Sequence, residues 1–247
     1  MPASDVPASH PRYRSLMARE LIVAGVERGV ASMHGLIAHG RGEAFDYLLG
    51  EQTHPFAGEA IEAGCAMLLS ASHPVISING NACALAAAEL VELAEVCSAK
   101  LEVNIFHTSP EREQAIRIML EEAGAREVLM PSKTHALEHI DHNRRWVHPG
   151  GIHAADVVCV PLEDGDRCQA LIKNGKRVVT IDLNPLSRTA RTATVTIVDN
   201  LTRCLPLMIQ KARQLSRTPR SLLEEKASLW ENAAALTKAE CAIRQSR

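Results

Sequence analysis

Apolar positions recur at helical spacing over the first part of the chain, then give way to short β-branched runs. In residues 13–29, Met17, Leu21 and Ala24 form a stripe three to four apart, which predicts a helix, and Gly29 supplies a stop. Residues 35–43 read as a short apolar run breaking into a glycine-bracketed basic loop, with a second helix over 57–71. An alternation begins at Val75. Strands are predicted over 75–78, 101–106, 127–130, 156–160, 177–182 and 195–198, with helices over 82–98 and 110–123. The 82–98 helix carries Ala86, Leu90, Leu93 and Cys97 on one face. Leu201, Leu205, Met208, Ile209, Ala212 and Leu215 make a strong amphipathic helix. The run over 156–160 is nearly continuous in apolar character, as expected of a strand covered on both faces.

Strand–helix–strand alternation with short links predicts an α/β fold with a doubly wound, mainly parallel sheet and helices on both faces. Such a sheet binds ligands beyond the carboxyl ends of its strands, at the switch point. Two segments break the pattern. Residues 131–153 form a polar, histidine-rich connection, longer than a normal link, and read as a lid or substrate loop. From Pro219 a separate charged helix is expected, with Leu223, Ala227, Trp230 and Ala234 on one face. The organisation expected is a catalytic domain over 1–218 and a helical extension over 219–247.

Composition narrows the function. The chain has 247 residues, 46% hydrophobic, with a net charge of −2 and mean hydropathy of −0.05. That charge supplies no basic excess for nucleic acid, and aromatics at 3% are too few for a base-stacking platform. Seven cysteines, an odd number at irregular spacing, argue against a disulfide framework. The absence of a CxxC pair makes a cysteine zinc site unexpected. The polar start over residues 1–12 has no signal-peptide core, and no apolar run reaches membrane-spanning length, so a cytoplasmic, membrane-independent protein is expected.

Strand ends carry the candidate chemistry. Asn79-Gly80-Asn81 opens a helix, where free amides attract phosphate; a plain helix cap is the competing reading. Glu163, Asp164 and Asp166 follow the 156–160 strand and suit Mg²⁺ or a substrate ammonium, or acids enriched at a helix start. Asp182 stands at the next strand end, where an acid can bind a ribose hydroxyl. The loop after it holds Ser187, Arg188, Thr189 and Arg191, whose guanidiniums suit phosphate or carboxylate. His39 and the Gly40-Arg41-Gly42 stretch resemble half of a dinucleotide fingerprint, but Phe45 replaces its last glycine, and no P-loop is present. His39 is a candidate general base or phosphate donor, or a structural histidine. His135, His139, His142, His148 and His153 lack an HExxH pattern and read as a solvated loop. These residues alone leave a nucleotide-dependent oxidoreductase and a non-catalytic nucleotide sensor open beside a ligase.

Several segments together resemble the archaeal-type phosphopantothenate synthetases, the 4-phosphopantoate–β-alanine ligases. They are residues 10–13 (HPRY), 35–47 (GLIAHGRGEAFDY), 79–81 (NGN), 101–104 (LEVN), 155–158 (ADVV), 160–167 (VPLEDGDR), 181–191 (IDLNPLSRTAR) and 197–200 (IVDN). The resemblance covers roughly residues 10–213. It implies a Rossmann-like homodimer that consumes ATP with Mg²⁺ and joins 4-phosphopantoate to β-alanine through an acyl-adenylate. It also implies ATP contacts at Arg19, Arg41, Asp182, Leu183, Asn184, Arg188, Thr189, Asn200 and Leu201. Asn79, Gly80, Asn81 and Arg191 are then expected to bind the anionic substrate, and His39, Glu163 or Asp164 to handle the amine.

Overall fold

The computed structural model describes residues 6–246, so part of the polar start, residues 1–5, lies outside it. Three helices come first: α1 (Tyr13–Glu27), α2 (Met33–Leu48) and α3 (Pro55–Ser70). Then β1 (Pro74–Ile78), α4 (Gly80–Val96), β2 (Lys100–Val103), α5 (Pro110–Glu122) and β3 (Val128–Leu129) form one half of the sheet unit. The other half is β4 (Val157–Pro161), α6 (Gly165–Lys173), β5 (Arg177–Ile181), α7 (Arg188–Thr192), β6 (Val195–Ile197) and α8 (Leu201–Leu215). Two further helices, α9 (Arg220–Ser228) and α10 (Asn232–Gln245), follow.

Among the described residues the strands form one sheet in the order β3-β2-β1-β4-β5-β6, every pair parallel. The α/β reading therefore holds, and the strand order reverses between β1 and β4. Alternation along each strand sorts side chains onto two faces. Ile76, Ile78, Val157, Cys159, Val179 and Ile181 enter the main core, with residues of α3, α4 and α8. Val75, Val158, Val160 and Val178 face a second core.

Helix α6 and the 131–155 connection cover that second core, through Leu171 on one side and Leu137, Ile140, Val147 and Ile152 on the other. The connection is thus a packed wall of the fold, not the solvated loop its histidines suggest, and its Arg144 lines the cleft. Its apolar anchors fall at irregular spacing, so no helix or strand period marks them. Backbone amides of His148 and Ile152 donate to the buried carboxylate of Glu102, at 2.8 and 2.6 Å. Burial pushes that carboxyl up to about 7, against the pull of the two amides.

The glycine-rich stretch over 35–43 is not a loop; it lies inside α2. Three glycines each cost helix stability, roughly 1 kcal/mol, yet Leu36 and Phe45 pack the helix onto the main core. One of the three is required by space. A Cβ on Gly35 would sit 2.2 Å from Asn81 Oδ1, because α2 crosses the start of α4 there. The charged tail is two helices, broken at residues 229–231. Leu223, Ala227, Leu236 and Ala239 join the main core, packing mainly against α3.

Candidate active site

The carboxyl ends of β1 and β4 splay apart at the order reversal, and Asn79 sits between them. Its side-chain amide donates to the carbonyls of Pro161 (2.8 Å) and Leu162 (3.2 Å), while its oxygen caps α4 at the amide of Ala82. A cleft of about 650 Å³ opens above this point. Helix α2 runs across it. Gly35 meets Asn81 on the β1 side, a Cβ on Gly42 would reach Leu183 at 3.8 Å, and Asp46 takes Asn200 and Arg203 on the β6 side.

On the β5–β6 side the loop after β5 is built by its own side chains. Asp182 accepts from the Ser187 hydroxyl and the Asn184 amide (2.5 and 2.9 Å), and the Asn184 oxygen accepts from the Leu186 amide. Ser187 caps α7 and Asn200 caps α8. Burial raises the Asp182 carboxyl, and its hydrogen bonds and the Arg41 charge pull it back only in part. Leu183, Asn184, Arg188, Thr189, Asn200 and Leu201 line this side. Arg188 lies loosely, 3.5 Å from Asp166 and 61% exposed. Gly165 makes room for it, since a Cβ there would stand 2.6 Å from its Nε. Arg41, on the face of α2, has no hydrogen-bond or ion-pair partner among the described residues.

The floor is a buried ion network. Glu163 is clasped by Arg144 and Arg167, with side-chain exposures of 1%, 3% and 0%. Burial works against its charge, yet the two arginines hold its carboxyl below the ordinary value. Arg144 is fixed further by Asn104, whose side-chain and backbone oxygens both accept from it. It also reaches Asp164 at 2.8 Å. Glu163 therefore differs from the free acid that the sequence suggests: its oxygens are committed to arginines. Asp164, half-exposed, and Asp166, held by His142 at 2.9 Å, face the cleft instead.

His39 lines the cleft from α2. Its Nε2 is buried without a partner, and burial lowers its pKa, so the ring is neutral near pH 7. The Gly40-x-Gly42 pair beside it sits mid-helix, away from any strand-to-helix turn, which removes the context a dinucleotide fingerprint needs.

On the β1–β2 side stand Asn79, Gly80 and Asn81, with Ser32, His34, His107 and Arg112. Two of the expected residues lie outside the cleft lining. Arg19 is bound to Glu43 (3.0 and 3.1 Å), and Arg191 points at Glu240 of α10, 3.7 Å away. Glu240 comes from the tail, which sequence reading treats apart, so that pairing has no local signal. Arg112 and Arg144 were missed. Arg112 lies on an ordinary amphipathic helix and Arg144 in the irregular connection, so neither has a motif around it. Among the described residues no group of three or more His, Cys, Asp or Glu side chains could hold a metal ion.

The sequence profile of the phosphopantothenate/pantothenate synthetase family matches residues 56–246. The chain belongs to that family. Its relatives extend the match through α1 and α2, which the profile leaves out. The 4-phosphopantoate–β-alanine ligase of Methanosarcina mazei is 48% identical, covering 98% of this chain and 95% of its own length. The protein of the same name from Thermococcus kodakarensis is 48% identical, over 94% and 90%. That of Methanospirillum hungatei is 53% identical, over 81% and 82%. The cleft of this family member carries arginines on both flanks.

Proposed function

We propose that the chain is an ATP-dependent ligase that condenses 4-phosphopantoate with β-alanine, giving 4′-phosphopantothenate for coenzyme A synthesis. The observation that carries this is relatives of that name, 48–53% identical over most of the chain. The cleft supports it with a preorganised strand-end loop on one side and, on both, an arginine without an ion-pair partner among the described residues.

ATP takes the β5–β6 side. Asp182 accepts from a ribose hydroxyl; Leu183, Asn184, Thr189, Asn200 and Leu201 shape the pocket, and Arg41 and Arg188 neutralise the phosphates. Arg19 acts through Glu43, which lines the cleft. The phosphate of 4-phosphopantoate lies at the start of α4, on Asn79, Gly80 and Asn81. Arg191, tied to the tail, steadies α7. A carboxylate oxygen of 4-phosphopantoate attacks the α-phosphorus of ATP, and the bond to pyrophosphate breaks with its electron pair. The amine of β-alanine then attacks the acyl carbon, forming the amide bond and expelling AMP.

That amine starts as an ammonium with a pKa of roughly 10, so a base must take its proton. His39, neutral with a free Nε2, is the base; Asp164 receives the ammonium, and Glu163 holds Arg144 in place. Mg²⁺ fits as part of the ATP complex, because it takes one or two carboxylates beside phosphate oxygens and water. Asp166, which lines the cleft 3.5 Å from Arg188, is the carboxylate that would hold it. Bound there, it would shield phosphate charge.

The outer face of α2 exposes Met33, Ile37 and Leu48, an apolar strip suited to a second copy of the chain. A homodimer in the cytoplasm is the assembly we infer, and sedimentation tests the dimer.

Purified protein with ATP, Mg²⁺, 4-phosphopantoate and β-alanine, each omitted in turn, tests the reaction. AMP and 4′-phosphopantothenate should form only in the complete mixture. No amide in that mixture would reject it. Oxygen label in the substrate carboxylate should end in AMP; label in free phosphate would reject the acyl-adenylate route.

A further inference from the structure

The family's description names both phosphopantothenate and pantothenate synthetases, so a cation in the cleft that could read a phosphate bears on specificity. Arg112 is placed to do it. It rises from the first turn of α5 and lines the cleft beside Gly80; a Cβ on Gly80 would be 3.2 Å from its guanidinium. Among the described residues only neutral carbonyls accept from its guanidinium, those of His107 (2.5 Å) and Val30 (3.2 Å). Among the described residues no carboxylate pairs with it, and its Nε is buried without a partner. A half-buried guanidinium without a counter-charge is costly unless an anion arrives. His34 and His107 stack beside it, ring centroids 4.6 Å apart, and both line the cleft. Neither ring has a hydrogen-bond partner among the described residues.

We propose that Arg112, flanked by His34 and His107, binds the phosphate monoester of the acid substrate and sets the preference for 4-phosphopantoate over pantoate. The proposal rests on the ligase reading for the identity of the acid. The ATP phosphates are the rival anion, and they belong with Arg41 and Arg188 on the opposite flank.

The test compares wild type with Arg112→Gln and Arg112→Lys. Calorimetry gives Kd for 4-phosphopantoate and for pantoate without ATP, and kinetics give KM for both acids and for ATP. Losing one charge-assisted contact should weaken 4-phosphopantoate roughly 10- to 100-fold. The preference over pantoate should fall by the same factor and KM for ATP should hold. Arg112→Lys should recover part of the loss, because it keeps the charge without the fork. His107→Gln, at an exposed position, should weaken 4-phosphopantoate several-fold with no change in melting temperature.

Equal weakening of both acids would mean a purely structural arginine, and a rise in KM for ATP would assign the site to the nucleotide; either overturns the proposal. So does a wild type that binds pantoate as tightly as 4-phosphopantoate. The binding arm decides even if no amide forms, so failure of the ligase reading is separable from failure of this one.

Discussion

The floor of the cleft and its flanks handle charge in opposite ways. On the floor, Glu163 is shared by Arg144 and Arg167, and at the β6 edge Arg203 bridges Asp46 and Asp199, all with little exposure. On the flanks, Arg41 and Arg112 form no ion pair with an acid among the described residues, and Arg188 has only a loose one. Paired charge ties distant segments together: Asn104, Arg144 and the Glu163–Arg167 pair come from three parts of the chain. Unpaired charge facing a cleft does nothing for the fold and repels its own kind until an anion binds. The contrast therefore separates arginines that build from arginines that bind.

The largest expected effect is on the floor. Glu163→Gln leaves two buried guanidiniums facing each other and should destabilise the protein by about 3–5 kcal/mol, read by denaturant unfolding. A loss below about 1 kcal/mol would put this network with ordinary surface pairs and break the comparison.

Next is Glu102, which pins the 131–155 wall. Its carboxyl titrates at about 7 when folded, above the ordinary 4.5. Between those values the folded protein keeps a proton that the unfolded chain has released. This group's stability contribution is thus present below about 4.5 and lost as pH rises to about 7, by roughly 3 kcal/mol. Glu102→Gln should flatten stability against pH over that window. An unchanged slope would show that the group titrates normally.

Arg41→Gln and Arg188→Gln should each raise KM for ATP roughly 10- to 100-fold, with stability within about 0.5 kcal/mol of wild type. The smallest effect belongs to Arg191→Gln. Its exposed pair with Glu240 should be worth less than about 1 kcal/mol, with KM for ATP and for 4-phosphopantoate unmoved. A large KM change there would return Arg191 to the cleft.

Strands and their end loops were legible because a buried parallel strand writes a short apolar run and the chemistry follows it. Asn79, Asp182 and Arg188 fall where that logic places them. Helix α2 was misread because local glycine cost outweighed the packing of Leu36 and Phe45, which sequence periodicity did not weigh. The 131–155 wall was misread because a core built from irregular backbone has no period. Arg144 acts through partners far along the chain, and Arg112 meets the cleft only because α5 packs beside Gly80, so their neighbours in sequence say nothing of their role. Glu163 was legible as a strand-end acid, but its two arginines decide what it does.

The direct test sets one residue of each kind side by side. ATP affinity by calorimetry and unfolding stability are measured for Arg41→Gln and Glu163→Gln under the same conditions. Arg41→Gln should lose ATP affinity and keep its stability, while Glu163→Gln loses stability. An Arg41→Gln protein that binds ATP normally and unfolds as easily as Glu163→Gln would contradict the division between building and binding charges.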